Sequence, residues 1–299
     1  MVTGRGSPTT KQKGLPCPEG CVAWDPLNQE AFAMDNNENR HLDSSGSSSL
    51  RYMDIRAEIG ISEHLGGRPF TDILYRLCHL AEAREVLEVG CGVGIGSVYM
   101  ARRFACHVVA VDLSEKMLSW ARQCARREGL VERIEFHQAD VCQLPFQDDR
   151  FDATIVESVL AFVTDKPTAI RELIRVTKPG GYIGLNEVFW LETPPPEFIA
   201  HAARVWGSEV LTVADWRKLW ESTPLEEPTI QVRRMDPGRD FAERARWIGW
   251  RAVLPALGRV ARLWLTDSRA RDSIRQQFNV PAGMARSMGY GLFVGRKPQ

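Results

Sequence analysis

The chain has 299 residues, 44% of them hydrophobic, with 38 basic and 38 acidic side chains. Such a length and apolar content suit one large domain, or one domain with a lid, around a single core. The zero formal charge argues against a surface built to hold duplex DNA or structured RNA, although it leaves room for a local basic patch.

Residues 1–49 are rich in Gly, Pro, Ser, Asn and Gln and close on the linker-like run Ser44 to Ser49. This composition predicts a mostly disordered or loosely ordered segment, with the folded domain occupying 50–299. The first thirty residues have no apolar core to serve as a signal peptide, and no run is long enough to span a bilayer. Seven scattered cysteines fit reduced thiols in a cytoplasmic protein. Cys17 and Cys21 have the spacing of half a metal site, but no second pair follows, so no metal is expected.

The domain should begin with a helix from Leu50 to Ile59. A turn at Glu63 to Gly67 then leads into a second helix from Thr71 to Leu80. Glu85 to Val89 reads as a buried strand running into Gly90-Cys91-Gly92-Val93-Gly94, with a helix from Ile95 to Arg103. Glycines there let a ligand lie against bare backbone. Ile95 and Ser97 stand where a dinucleotide fingerprint would need its third glycine, so the match to a pyrophosphate turn fails. Glu88 would repel a pyrophosphate and attract a cation.

A second strand, His107 to Asp112, ends on a carboxylate about 20 residues past the glycines, where ribose hydroxyls are bound in nucleotide folds. Asp112 or Ser114 could equally cap the helix Glu115 to Arg127. A third strand, Arg133 to Asp140, offers a carboxylate for an exocyclic amine, and Val141 a backbone N–H. The fourth strand runs from Phe151 to Glu157. After the turn Lys178 to Gly181 comes a fifth, Tyr182 to Trp190, broken by Thr193 to Pro196. Two helices within 197–222 precede a sixth strand at 229–235, and Gly289 to Gly295 is the last, one late strand pairing antiparallel beside the other.

The run Val86 to Gly94, then Val111 to Ser114, Ala139-Asp140 with Leu144 to Phe146 and Arg150 to Asp152, and Leu173 to Gly181 resembles the class I S-adenosylmethionine-dependent methyltransferases. Within them it is most similar to the small-molecule branch containing ubiquinone/menaquinone, sterol and amine methyltransferases. The resemblance covers roughly 60–236 and the final strand, with the blocks in the family's order. It implies an α/β fold, a Rossmann-like doubly wound seven-stranded mostly parallel sheet with helical lid elements at both ends. S-adenosylmethionine, which carries an ammonium and a sulfonium, also meets the charge preference of Glu88. Its expected lining is Tyr52, Glu88, Gly90, Cys91, Gly92, Asp112, Leu113, Met117, Asp140, Val141 and Glu157, with Ile95 to Ser97 beside the methionine part.

The fourth strand ends Glu157-Ser158-Val159-Leu160 rather than in an Asn/Asp-Pro-Pro-aromatic motif, which argues against amide or adenine nitrogen as acceptor. No Pro-Cys pair supplies a covalent nucleophile, and Cys142 alone cannot supply a cysteine triad. If the acceptor must lose a proton, His64, Glu157 and Glu187 are the candidate bases. A macromolecular acceptor and a non-catalytic cofactor-binding protein are the competing readings.

Residues 239–280 read as a helical lid insertion, with Trp247, Trp250, Leu254, Leu257, Val260, Ala261, Trp264 and Leu265 near helical spacing and arginines between them. Pro255 should kink it. The segment could lie on a membrane through 241–265, making the protein membrane-peripheral, or form a homodimer face. The lid is the stronger reading, because an insertion before the last strand falls near the strand edge where acceptors bind. Either way the acceptor should be small and apolar or aromatic.

Overall fold

The computed structural model describes residues 52–61, 64–207, 209–248 and 250–299. The expectations for 1–49, including Cys17 and Cys21, lie outside the described residues, as do Leu50 and Glu63.

Seven strands form one sheet in the order β3-β2-β1-β4-β5-β7-β6. They are β1 (Glu85–Val89), β2 (His107–Asp112), β3 (Ile134–Gln138), β4 (Phe151–Glu157), β5 (Thr177–Trp190), β6 (Glu226–Arg234) and β7 (Met288–Arg296). β1 to β5 are mutually parallel, and β7 runs antiparallel between β5 and β6. The strand order reverses between β1 and β4, which places the ends of β1, β2 and β4 around the crevice where doubly wound sheets bind ligands.

Helices cover both faces. α2 (Gly67–Leu77), α3 (Ile95–Phe104) and α4 (Glu115–Arg127) pack with Val86, Ala153 and Leu292 on one side. α5 (Lys166–Val176) and α7 (Val213–Glu221) pack with Leu87, Val156 and Leu185 on the other. Trp216 and Trp220 of α7 bury against Phe293; each such side chain contributes about 2–3 kcal/mol of hydrophobic stabilisation. Helix starts follow local chemistry: Ser114 Oγ accepts from Met117 N–H, and Asp165 accepts from Thr168 N–H with proline in the first turn of α5.

Several boundaries differ from the sequence reading by a few residues, and three of them have a local cause. β3 stops at Gln138, because Asp140 turns to bridge Gln143. β5 starts at Thr177 and carries the Lys178 to Gly181 turn within it as an irregularity, held where Gly180 N–H donates to Lys297 and Lys297 N–H to Gly181. α2 starts at Gly67, four residues early, since Pro69 suits a helix's first turn.

α1 (Tyr52–Ile59) and α6 (Pro196–Trp206) lie with α8 (Pro237–Ile248), α9 (Trp250–Thr266) and α10 (Ser268–Phe278), and α11 (Met284–Ser287) leads into β7. Pro255 lies inside α9, which continues through it. Ile55 and Ile59 of α1 pack with Ala256 and Ile274, so the late helices cover the early ones.

Candidate functional site

The turn after β1 needs its glycines for conformation and for space. Gly90 has φ +73°, and an added Cβ would overlap Val159 Cγ2 in the turn after β4. Gly94 has φ +81°, and a Cβ there would press on Ala121 of α4 at 2.9 Å. Gly90 itself is half-buried, and Cys91, Gly92, Val93 and Gly94 are buried.

Asp112 joins β2 to this turn. Its Oδ2 accepts from Gly92 N–H at 2.9 Å and its Oδ1 from Ser114 N–H at 2.9 Å. Burial raises its pKa, and the backbone donors at Ser114, Gly92 and Leu113 oppose that rise. The next side chain, Leu113, is 70% exposed, whereas Met117 is buried. Asp140 is exposed in the turn after β3, its Oδ1 accepting from Cys142 N–H at 2.8 Å, and Val141 is buried.

Strand alternation divides the acidic side chains between the two faces of the sheet. Glu157 and Asn186 are register partners on β4 and β5, so Glu187 points to the opposite face. On the α2 side, Ser97 Oγ of α3 donates to Glu88. Burial pushes the Glu88 carboxyl up to about 7, with Ser97 and His64 acting against the rise. Glu157 Oε2 accepts from Thr71 Oγ1 at 2.8 Å and Asn186 Nδ2 at 3.0 Å, and its Oε1 lies 3.4 Å from His64 Nδ1. Burial works to raise Glu157 as well, yet His64, Asn186 and Thr71 together hold it below the ordinary carboxylate range. The His64 ring lies under Trp247 of α8, centroids 4.4 Å apart, and Trp247 meets Tyr99 edge-on at 6.0 Å.

On the far face, Glu187 is fully buried. Its Oε1 accepts from Val159 N–H at 3.0 Å and Leu160 N–H at 2.8 Å, and its Oε2 from Ala161 N–H at 3.2 Å. Burial lifts it to about 7, against those three donors and Lys166. Of the three candidate bases, the structure therefore brings His64 and Glu157 together and sets Glu187 apart, beneath the 159–161 turn. Tyr52 stacks on Phe162 at 5.8 Å, at the edge of that same turn.

Thr71, Asn186, Ser97 and Trp247 complete the cluster, and of these the sequence reading had only Ser97 beside the ligand. Asn186 left a signal, a polar residue inside an apolar strand. Thr71 left none, because its partner is 86 residues away. Among the described residues the fully buried Tyr75 hydroxyl and the Ser158 hydroxyl have no hydrogen-bond partner, and Ser158 has φ +61°. A non-glycine residue in that region stores strain at the end of β4. A separate cleft of about 550 Å³, lined by Lys166, Glu209 and Leu211 among others, shares no residue with this cluster. Among the described residues no group of three or more His, Cys, Asp or Glu is arranged for a metal.

Residues 87–185 match the family model described as a methyltransferase domain. Phosphoethanolamine N-methyltransferase 1 of Arabidopsis thaliana is 32% identical over 182 residues, 60% of this chain and 36% of that protein. The chain spans from 36% to 50% of the length of the first curated relatives it matches. Among solved structures, the 4+2 cyclase SpnF aligns with TM-score 0.64 and 23% identity, over 82% of this chain and 92% of that one. Phosphoethanolamine N-methyltransferase 2 of Haemonchus contortus, in complex with phosphomonomethylethanolamine and S-adenosylhomocysteine, aligns with TM-score 0.63 and 19% identity, over 83% of this chain and 57% of that one. At such identities these structures establish the fold alone, a Rossmann-like seven-stranded sheet.

Proposed function

We infer that this chain, whose residues 87–185 are a methyltransferase domain, transfers a methyl group from S-adenosylmethionine to a small acceptor with an apolar or aromatic part. One observation carries the reading: Asp112 closes on Gly92 N–H beside the buried Glu88, so ribose-type and cation-type acceptors flank one bare glycine turn. The residues fit the cofactor. A Cβ at Gly90 would obstruct the turn, and a carboxylate raised by burial is stabilised in its ionised form when a cation sits beside it.

When bound, S-adenosylmethionine supplies a sulfonium methyl for in-line displacement and leaves as S-adenosylhomocysteine. The chain contributes alignment, which in well-oriented pairs is worth about 7–11 kcal/mol. The free lone pairs of Asp112 accept from the ribose hydroxyls, Leu113 covers the base, Asp140 and Val141 meet its edge, and Glu88 holds the ammonium. Cys91 and Met117 support the turn from within. Glu157 orients His64, the base we favour for an acceptor that must lose a proton, as a carboxylate orients an imidazole in other acid–base pairs. Glu187 is better assigned to holding the 159–161 turn, since both its oxygens are occupied by backbone donors.

The likeness to a cyclase shows that this fold also serves other reactions. The full chain should therefore be incubated with methyl-labelled S-adenosylmethionine and an extract of its source cells. Label in the organic-soluble fraction is the expected result. Label confined to precipitate would overturn the small-molecule reading, and binding with no transfer would overturn catalysis of methylation.

A further inference from the structure

We propose that the outer face of α8–α10 docks on an anionic lipid surface. Leu254, Leu257 and Leu265 of α9 are 58%, 58% and 75% exposed, with exposed Gly258 and Ala261 between them. At 100° per residue these positions share one stripe. The opposite side of α9 is also apolar: Ala256, Val260, Leu263 and Trp264 pack toward α1 and α10. An outermost helix that is apolar on both sides has an outward face with no partner among the described residues.

Charge selects the occupant. Residues 237–278 carry nine arginines against four acidic side chains, within a chain whose two signs balance. Arg262 is exposed beside the leucines, while Arg259 turns inward to the Ile59 carbonyl at 2.6 Å. A second copy docking by two-fold symmetry would set this net-basic segment, with Arg262 beside its leucine stripe, against itself. Anionic headgroups instead neutralise the arginines while the acyl boundary takes up the leucines, as for a helix lying in the interface plane. Among the described residues no helix is long and apolar enough to cross a membrane, so contact would be from one side.

The inner side of the same helices holds Trp247 over His64. Docking would bring the covered cluster within reach of acceptors dissolved in lipid. The lid and membrane readings of 239–280 thus concern opposite faces of one element.

The test needs neither cofactor nor acceptor, so its failure is distinct from failure of the methyltransferase reading. The full chain is sedimented with phosphatidylglycerol/phosphatidylcholine vesicles and with pure phosphatidylcholine vesicles. Partitioning should favour the anionic vesicles and weaken at high salt. A triple variant, Leu254→Ser, Leu257→Ser and Leu265→Ser, should lose about tenfold or more of it with its melting temperature kept. Equal binding to both vesicles, no binding, or binding unchanged in the triple variant would overturn the proposal. So would a lipid-free dimer in light scattering that the triple variant splits, which would assign the face to a second copy.

Discussion

The β1–β2 edge and the β4–β5 edge of the sheet bury carboxylates equally deeply and treat them differently. At the first, Glu88 meets a hydroxyl and is pushed up to about 7. At the second, Glu157 meets His64 Nδ1 at 3.4 Å, in addition to Thr71 and Asn186, and lies below its ordinary range. Glu187, held by three backbone N–H groups, goes up to about 7 like Glu88. His64 also acts on Glu88 and Lys166 on Glu187, yet burial prevails at both, whereas at Glu157 His64 together with the Asn186 and Thr71 hydrogen bonds outweighs it. The β4 end therefore comes with an imidazole beside its carboxylate, and the β1 end with a hydroxyl.

The sharpest way to break this contrast is Asp112→Ala. Loss of hydrogen bonds from a buried carboxylate should weaken S-adenosylmethionine binding by about 100-fold, or about 3 kcal/mol. Melting should shift by only a few degrees. Unchanged affinity in calorimetry would remove the ligand from the β1–β2 edge.

Gly90→Ala tests whether the two edges act as one unit, since its Cβ would strike Val159 from the other side of the crevice. Positive φ and the overlap together should cost about 2–4 kcal/mol of stability in denaturant unfolding. A neutral result would mean that the 159–161 turn can retreat and that Glu187 does not fix it.

The smallest effect is a dependence on pH. Glu88 and Glu187 have ordinary values of 4.5 and folded values of about 7. Between those limits the folded chain binds more protons than the unfolded one. Stability therefore falls as pH rises through the window and levels off above about 7. Glu157 has the opposite sign, contributing stability that is lost only below its ordinary pKa. The ligand-free protein should melt a few degrees higher at about pH 5.5 than at about pH 8. Glu88→Gln should flatten part of that slope, and cofactor affinity should rise with pH over the same interval. If the slope survives in both Glu88→Gln and Glu187→Gln, these groups are not its source.

Much of the fold was legible because its signals are local. The apolar runs of β1 and β2, the glycines between them and the cap at Ser114 each act within a few residues. Asp112 was legible as a carboxylate at the end of β2, because the apolar run of that strand stops there. His64, Glu157 and Glu187 were indistinguishable as candidate bases because each is simply a titratable residue near a strand end or turn.

What the sequence by itself determined is the order of strands and helices, the glycine turn and the position of its acidic neighbours, since hydrophobic period and backbone freedom are properties of short segments. Only the tertiary structure decided which carboxylate meets a histidine, which meets a hydroxyl and which meets three N–H groups. Those partners lie 9 to 93 residues apart in the chain, from Ser97 beside Glu88 to His64 beside Glu157, and all but Ser97 are at least 26 residues away. Parallel crossovers bring them together, and strand alternation then sends Glu157 and Glu187 to opposite faces of the sheet.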